Sequence, residues 1–280
     1  MKKPLVSVIM SVFNEQQYLT NAIESILSQT FSDFELIIID DYSTDDSLQI
    51  CKKFKDPRIR IYSKTDEPRG LAASRNIAIN MARGWYIINQ DADDIAHHQR
   101  IEKQLTAALQ NPGRRVVGCS IKRIENEKVN IVTLPETHKE IINGFRRIYK
   151  RLTIVAGTIL APKKIMQDIP YRTRFRYQQD WDHMLRLYES RKVEFYNCPE
   201  PLYTHFIRPK GVYFKPGWLE HNIFIRNCQH RRRKGLAEFE TIQQFFQYLD
   251  RHSLQKLKWL TIRELLRLNR RLVVIKRRLA

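Results

Sequence analysis

The 280-residue sequence predicts an α/β protein with a mixed, mostly parallel sheet flanked by helices. Two observations support this class. Apolar runs that are typical of buried strands alternate three times with amphipathic helical patterns within residues 5–95, which predicts βαβ units. Two of the strand-like runs end in clusters of aspartate, and ligands bind at the carboxyl ends of strands in such sheets.

The first half of this region holds two buried strands and a helix. Residues 5–13 are β-branched or apolar on both faces, which predicts a buried parallel strand. Apolar residues then recur with helical spacing over 19–27. Residues 34–39 predict a second buried strand, which ends at Asp40 and Asp41.

The pattern continues with two more helices and two more strands. A helix is predicted around 48–54, a short strand at 59–62 and a further strand at 85–88, which runs into the acidic cluster 91–94. Gly70 opens the intervening helix, and three of its apolar residues are expected on the inner face: Ala73, Ile77 and Met81. After residue 216 glycine and proline become rare, so we predict a catalytic domain over 1–215 and a basic, helical C-terminal extension over 216–280.

The composition is strongly basic. The chain has 49 Lys and Arg residues against 30 Asp and Glu, a net charge of +19, which indicates an anionic partner. Residues 254–279 mix leucine and isoleucine with basic residues and predict a basic amphipathic helix. Such a helix is expected to lie on an anionic membrane surface. The alternative is that it packs on the catalytic domain or on a second copy of the chain in a homo-oligomer.

Cysteine usage and hydropathy indicate the compartment. The four cysteines are far apart and form no CxxC pair, which favours buried, reduced thiols in the cytosol over disulfides or zinc. No apolar run approaches the ~18 residues of a membrane span. We therefore expect a cytoplasmic protein that is peripheral on the inner face of the cytoplasmic membrane.

The acidic cluster Asp91-Ala92-Asp93-Asp94 follows a predicted strand. Hard divalent cations such as Mn²⁺ and Mg²⁺ take oxygen ligands, often one or two carboxylates together with substrate phosphates. Asp91 and Asp93 lie two positions apart, so a sharp turn would aim both at one pocket. The alternative is a solvated acidic turn that caps the next helix.

Three other residues have side chains that could bind a ligand. Asp41 has a carboxylate suited to a base N–H or to ribose hydroxyls, with helix capping as the alternative for the neighbouring residues 43–45. Glu15 follows the first strand, where a simple turn is the alternative. Arg75 is expected either to contact a phosphate or to lie on a solvated helix face.

Taken in order, five segments of the sequence resemble the inverting family 2 glycosyltransferases of GT-A fold. These are SVIMSVFNE at 7–15, QTFSDFELIIIDD at 29–41, Gly70 with ASRN at 73–76, DADD at 91–94 and QDWD at 179–182. The order and spacing match over residues 5–110, and the similarity extends to about residue 210. The remaining C-terminal residues are not covered by it.

The resemblance implies a role for each matched residue. It implies a nucleotide-sugar donor, a metal-binding DXD motif and a general base for an inverting reaction. The implied roles are nucleobase contact for Asp41, ribose or sugar contact for Asp91, metal ligand for Asp93, general base for Asp180, and donor cleft for Ser11, Phe13, Glu15 and Arg75.

Two departures from the family pattern stand out. Gln179 replaces a glutamate that usually precedes the base, which affects acceptor contacts rather than the base itself. Arg208 stands where the family often has a histidine. Either the nearby His205 substitutes for that histidine, or Arg208 contacts the diphosphate as a fixed cation, with a packed His205 that binds nothing as the simpler alternative.

We therefore expect a metal-dependent hexosyltransferase that moves a sugar from a nucleotide-sugar, by default a UDP-sugar, to a glycan or lipid-linked glycan in surface polysaccharide synthesis. One alternative is a nucleotidyltransferase. The chain has no glycine-rich phosphate loop near residue 1, which argues against this alternative. The other is a nucleic-acid-binding module that uses the basic C-terminus. Charge alone provides only non-specific affinity for nucleic acid, so no nucleic-acid partner is expected.

Overall fold

The structure is a computed structural model that describes residues 3–146, 153–208 and 218–251. The strands of this part of the chain are β1 (Val6–Val12), β2 (Phe34–Asp40), β3 (Ile59–Ser63), β4 (Tyr86–Asp91), β5 (Ile95–Ala96), β6 (Arg115–Glu125), β7 (Lys128–Val132), β8 (Leu160–Pro162) and β9 (Glu194–Ile207). The α-helices are α1 (Leu19–Leu27), α2 (Ser47–Lys53), α3 (Leu71–Met81), α4 (Arg100–Leu109), α5 (His138–Arg146), α6 (Lys163–Asp168), α7 (Gln179–Glu189), α8 (Trp218–Arg233) and α9 (Ile242–Arg251). A single 3₁₀ turn lies at Ala156–Thr158.

The strands of the described residues form one sheet in the order β3-β2-β1-β4-β8-β6-β9-β5, with β7 paired to β6. β1 to β4 are mutually parallel, and β6 runs parallel to β9. β8 lies antiparallel between β4 and β6. The predicted α/β class with a mixed, mostly parallel sheet is therefore confirmed.

The central strand β1 brings the acidic strand ends together. Its Ser11 lies opposite Ile39 of β2 on one side and opposite Asp91 of β4 on the other. Since these three strands are parallel, their carboxyl ends meet at one edge of the sheet. Asp41 directly follows β2, and Asp93 follows β4, so this edge collects the carboxylates that the sequence analysis singled out.

The burial of β1, β2 and α1 largely follows from their apolar patterns. β2 is buried along its whole length, and so is β1 apart from the half-buried Ser11. α1 buries the predicted stripe. On α3, however, only Ala73 of the three residues predicted to point inward is fully buried, and Ile77 and Met81 are half-buried. The helix instead buries its alanine-rich side, because small residues let it lie close to β1 and β2.

The described chain divides into two compact units. One contains residues 3–146, 153–173 and 183–208, including the whole sheet. The other contains residues 174–182 and 218–251. The helix α7 begins in the second unit and ends in the first. The division between 1–215 and 216–280 stays a prediction from sequence.

The second unit has its own aromatic core. The ring of Phe224 on α8 lies 5.4 Å from that of Phe175 and 5.7 Å from that of Phe245 on α9, measured between centroids. All three side chains are buried. The helical character predicted beyond residue 216 is confirmed for residues 218–233 and 242–251, which form α8 and α9. The basic amphipathic helix predicted at 254–279 lies outside the described residues.

The four cysteines are all buried and free of disulfide bonds, as predicted. Burial raises the pKa of each thiol, for example to about 12 for Cys51 and about 11 for Cys119, which makes them poor nucleophiles. Among helices in the described ranges, none combines the length and the apolar character needed to cross a bilayer.

Candidate active site

The acidic turn after β4 is the centre of the candidate site. Asp91 is the last residue of β4, and Asp93 and Asp94 follow across a turn in which Ala92 is buried. The Asp91 carboxylate accepts a hydrogen bond of 2.8 Å from Nη2 of Arg75, and its backbone N–H donates to the Tyr203 hydroxyl at 3.2 Å. Arg75 is only 4% exposed, so the solvated-face alternative for Arg75 is wrong.

Arg208 lies against the second carboxylate of the turn. Its Nη1 is 3.3 Å from Oδ2 of Asp93, and its Nη2 donates to the backbone oxygen of Asp93 at 2.6 Å. The same guanidinium is 3.9 Å from the Glu15 carboxylate and stacks on the Tyr18 ring at 3.2 Å. Arg208 is thus a cation placed between the acidic turn and the loop that follows β1.

His205 lies elsewhere. It belongs to β9, opposite Arg123 of β6, and burial lowers the pKa of its imidazole. Of the two residues considered for the histidine position of the family pattern, Arg208 is therefore the one with ion pairs to the acidic residues.

The carboxylates crowd one another at this edge. Burial and the neighbouring Asp91 raise the pKa of Asp93 to about 6, an effect that Arg208 partly offsets. Burial and Asp93 raise the pKa of Glu15 to about 7. Because the ionised forms are destabilised by one another, the cluster favours a further cation.

The Asp94 side chain has a structural role and does not face a ligand. Its side chain is buried and accepts the backbone N–H of Phe206 at 2.9 Å. Burial and the two neighbouring aspartates raise its pKa well above the usual range. Asp94 therefore ties the acidic turn to β9, and it leaves Asp91 and Asp93 as the carboxylates of the turn for a ligand.

The donor set suits a hard divalent cation that shares its ligands with a substrate. Among the described residues, no three His, Cys, Asp or Glu side chains form a group that would hold a metal by themselves. The turn offers Asp91 and Asp93 instead. That number fits Mg²⁺ or Mn²⁺, which often bind proteins through one or two carboxylates and complete their coordination with phosphates and water.

The loops that follow β1 and β2 hold each other by reciprocal hydrogen bonds. The backbone N–H groups of Asn14, Glu15 and Gln16 donate to the side chains of Ser43, Ser47 and Asp45, at 3.1, 2.8 and 3.1 Å. In return, the Asn14 carboxamide oxygen accepts the Thr44 N–H at 2.8 Å. These contacts fix Glu15 at the site edge. Asp45 also accepts the Ser47 N–H at the start of α2, so its predicted capping role is present as well.

Asp41 bridges two parts of the site. Oδ1 accepts from Nζ of Lys64 at 2.8 Å, and Oδ2 accepts the backbone N–H of Gly70 at 2.7 Å. The Lys64 side chain is fully buried and also donates to the Pro68 oxygen at 2.7 Å. Gly70 has φ of +109°, a conformation that favours glycine, and it begins the helix that bears Arg75.

Ser11 and Phe13 line the end of β1. The Ser11 hydroxyl oxygen is buried and has no hydrogen-bond partner among the described residues, next to Asp91 in the sheet register. Phe13 is 52% exposed directly after the strand. An unpaired buried hydroxyl and an exposed aromatic ring at this edge of the sheet are features that a bound ligand would satisfy.

A buried polar network beneath the acidic turn was missed by the sequence analysis. Arg100 is completely buried, and its guanidinium donates to side-chain oxygens of Gln104 and Gln90 and to backbone oxygens of Asn89 and Gly157, at 2.7–2.9 Å. The Gln90 amide in turn donates to the backbone oxygens of Asp91 and Asp94, both at 2.9 Å. The network therefore holds the turn from below.

Gly157 is a second missed feature. A Cβ atom at this position would lie 2.4 Å from Oδ2 of Asp91 and 2.8 Å from the Tyr203 hydroxyl. Any other residue would therefore displace the Asp91 carboxylate. The sequence signals for this network are the polar Asn89 and Gln90 near the end of β4, and they do not identify the distant partners.

Asp180 lies in the second unit, in the first turn of α7. Its side chain is half-buried, whereas Trp181, Met184 and Leu185 on the same helix are buried. Asp182, the neighbouring acidic residue, is completely buried and lies 3.6 Å from Nη1 of Arg232. The other predicted site residues all belong to the first unit.

Comparisons with known proteins identify the family of the chain. The model of glycosyl transferase family 2 matches residues 7–170. The uncharacterized glycosyltransferase MJ1057 of Methanocaldococcus jannaschii is 37% identical over 193 residues, which are 66% of this chain and 65% of that protein. The putative glycosyltransferase EpsE of Bacillus subtilis is 34% identical over 207 residues, which are 71% of this chain and 72% of that protein. The chain thus spans slightly less than two thirds of the length of MJ1057.

Solved structures show the same fold. TarS residues 1–349 of S. aureus in complex with UDP superpose with a TM-score of 0.61 at 20% identity, covering 82% of this chain and 66% of that one. The mannosyltransferase PcManGT of Pyrobaculum calidifontis in complex with GDP-Man and Mn²⁺ gives a TM-score of 0.61 at 14% identity, covering 85% and 66%. The GT-A fold expected from the sequence is confirmed. The chain belongs to glycosyl transferase family 2.

Proposed function

We propose that this protein is a metal-dependent, inverting glycosyltransferase that transfers a sugar from a UDP-sugar to a glycan or lipid-linked glycan acceptor. The observation that carries the proposal is the edge of the sheet where Asp91 and Asp93 lie beside two cations, Arg75 and Arg208. Family membership favours glycosyl transfer over nucleotidyl transfer and over nucleic-acid binding. The UDP-bound relative TarS supports uridine as the nucleotide.

In this proposal, the nucleotide lies along the ends of β1 and β2. The Asp41 carboxylate accepts the N–H of the base, since its hydrogen bonds from Lys64 and Gly70 hold it in place. Phe13 and the unpaired Ser11 hydroxyl line the cleft. Asp91, held by Arg75, contacts the ribose or the donor sugar.

The diphosphate lies between the acidic turn and Arg208. Asp93 would hold a divalent cation, which would supply positive charge to stabilise the departing diphosphate. Arg208 lies beside Asp93 and contributes a second positive charge on a side chain that is always protonated. Glu15 limits how far Arg208 moves, because the two groups are 3.9 Å apart.

The reaction proposed is a single displacement. Asp180 takes the proton from the acceptor hydroxyl as that oxygen attacks the anomeric carbon of the donor sugar. The bond between the anomeric carbon and the diphosphate oxygen breaks on the opposite face, and the electron pair leaves with UDP. The configuration at the anomeric carbon is therefore inverted.

A donor-hydrolysis assay tests the function. With Mn²⁺ and each of UDP-glucose, UDP-galactose and UDP-N-acetylglucosamine, we expect release of UDP from at least one donor, because water replaces the acceptor. GDP-mannose serves as the mismatched nucleotide and should react more slowly. Release of pyrophosphate instead would indicate a nucleotidyltransferase, and no reaction with any donor would contradict the proposal.

Replacing Asp41 tests the proposed nucleotide site. Asp41→Asn should raise the UDP dissociation constant about tenfold or more, since a hydrogen bond to a charged group contributes about 1.5–3 kcal/mol. Asparagine is preferable to alanine because Lys64 is buried and needs a polar neighbour. Asp66→Asn, at an exposed position in the loop between β3 and α3, should leave UDP affinity unchanged in the same calorimetric titration.

From the sequence alone, we also propose that residues 254–279 hold the protein on an anionic membrane at the cytoplasmic side, near a lipid-linked acceptor. This range contains nine Lys and Arg residues, and each adds about 1 kcal/mol of attraction near such a surface. Replacing all nine by glutamine should abolish sedimentation with phosphatidylglycerol vesicles. Phosphatidylcholine vesicles are the control. Equal sedimentation of the variant and the wild type would contradict this proposal.

A further inference from the structure

The residue that precedes α7 has an unusual backbone conformation. Gln178 has φ of +56°, in the left-handed region that glycine adopts readily and other residues rarely do. Its backbone oxygen accepts the N–H of Asp182 at 3.1 Å, which is the first hydrogen bond along α7. The conformation of Gln178 therefore sets the direction of the helical turn that bears Asp180, two residues further on.

A side chain of α8 contacts Gln178. The Asn222 Nδ2 donates to Oε1 of Gln178 at 3.0 Å, and both residues are buried, with 3% and 5% exposure. Because a side-chain amide normally costs free energy when it is removed from water, two buried amides that meet each other form a specific contact. Gln178, Asp180 and Asn222 belong to the same compact unit.

A third residue determines the orientation of the Asn222 amide. Arg226, one turn further along α8, donates from Nε to Oδ1 of Asn222 at 3.0 Å. A guanidinium has only donors, so the oxygen of Asn222 must face Arg226, and its NH₂ group must face Gln178. The three residues thus form a directed chain from Arg226 through Asn222 to Gln178.

We infer that Asn222, oriented by Arg226, is a positioning residue for Asp180. It holds Gln178 in the left-handed conformation and so fixes the first turn of α7 relative to α8. Asn222 acts through Gln178, and it is not itself a catalytic residue. This inference rests on the proposed role of Asp180 as the general base. It assigns the C-terminal helix α8 a part in the reaction that the family match, which ends at residue 170, does not cover.

A pair of variants at residue 178 isolates the backbone effect. Gln178→Ala and Gln178→Gly both remove the contact with Asn222, but only glycine adopts a positive φ without strain. We expect Gln178→Ala to lower turnover at least about tenfold, and Gln178→Gly to stay within about threefold of the wild type. The assay is UDP release with Mn²⁺ from the fastest of the three UDP-sugar donors, with the UDP dissociation constant measured in parallel and expected to stay unchanged.

Variants of Asn222 complete the test. Asn222→Ala should match Gln178→Ala in turnover, and the double variant Asn222→Ala with Gln178→Gly should recover the turnover of Gln178→Gly alone. Asn222→Asp should retain turnover, because the Gln178 amide flips and donates to the new carboxylate. Asn227→Ala, which also removes a buried amide from α8, should leave turnover unchanged.

The outcomes separate this inference from the proposed function. Equal turnover of Gln178→Ala and Gln178→Gly would overturn the inference, and this pair decides the matter if Asn222→Ala does not fold. No recovery in the double variant would also overturn it. If Asp180→Asn keeps its turnover, the role of Asp180 itself fails. If Asp180→Asn is slow while Gln178→Ala and Asn222→Ala are fast, only the positioning role fails.

Discussion

Asp180→Asn is expected to lower turnover at least about a hundredfold while UDP and Mn²⁺ bind as in the wild type, because loss of a general base costs about 10²–10⁴ in rate. The Asp180 carboxylate lies in the first turn of α7. It is half-buried and therefore accessible to an acceptor hydroxyl. The measurement is steady-state UDP release, with donor affinity determined separately.

The alternative for Asp180 is a purely structural role at the start of the helix. Asparagine keeps the size of the side chain and its hydrogen-bonding oxygen, so a structural role would survive this substitution with a loss of at most about 1 kcal/mol in stability. Glu189→Gln, at the other end of α7, is the matched control for loss of one negative charge on the same helix.

Near wild-type turnover of Asp180→Asn would contradict the assignment of the base. Asp182 would then be the next candidate by sequence. The structure makes it a poor one, since Asp182 is completely buried beside Arg232 and would have to reach an acceptor from inside the protein. Asp182→Asn is expected to lower the temperature of unfolding, because it leaves part of a buried charge pair without its partner.

Asp93→Ala is expected to reduce turnover at least about a thousandfold, since a divalent cation at the diphosphate contributes several kcal/mol to stabilising the transition state. It should also weaken Mn²⁺-dependent binding of UDP. Asp33→Ala is the matched control, because Asp33 is exposed and lies just before β2, at the opposite end of the strand from the site. Isothermal calorimetry with UDP, with and without Mn²⁺, measures the effect directly.

The affinity for Mn²⁺ should depend on pH in a defined direction. The cation binds the ionised carboxylate, and burial together with Asp91 raises the pKa of Asp93 to about 6. The affinity is therefore expected to be constant well above pH 6 and to fall as the pH drops through this value, by about tenfold per unit once one proton must be displaced. In Asp93→Ala this fall in Mn²⁺ affinity near pH 6 should disappear.

Two results would contradict the metal assignment. One is full turnover of Asp93→Ala, and the other is full turnover of the wild type in excess chelator. In either case Arg208 and Arg75 would be the remaining cations of the described site that could neutralise the diphosphate. Arg208→Met would then be expected to abolish the residual activity.

Local sequence patterns were enough to predict the central part of the fold and the carboxylates at the edge of its sheet. β1 and β2 are continuous apolar runs, and such runs form buried parallel strands because helices cover both faces of the sheet. Asp41 and Asp93 lie in the acidic clusters that follow two predicted strands. Parallel strands bring their carboxyl ends to one edge, so local pattern alone placed these carboxylates together.

The ion pairs and hydrogen bonds that fix the site residues depend on tertiary contacts. Arg75 has no sequence feature that distinguishes a buried ion pair from a solvated helix face, and only the packing of α3 places it 2.8 Å from Asp91. The same holds for Tyr203, whose hydroxyl meets the Asp91 N–H across 112 residues of chain. Contacts between residues so far apart in the chain produce no periodic pattern in the sequence.

The C-terminal helices show the same contrast between what the sequence predicts and what depends on tertiary contacts. Their helical character was predictable, because glycine and proline are rare after residue 216 and helix-forming residues dominate. Sequence did not reveal that residues 174–182, with Asp180, pack in one unit with α8. That association depends on the amide of Asn222 meeting Gln178 and on the rings of Phe175 and Phe224 meeting each other. Side-chain packing between distant segments is set by shape and burial in three dimensions, whereas periodicity along the chain reports only which face of each element is apolar.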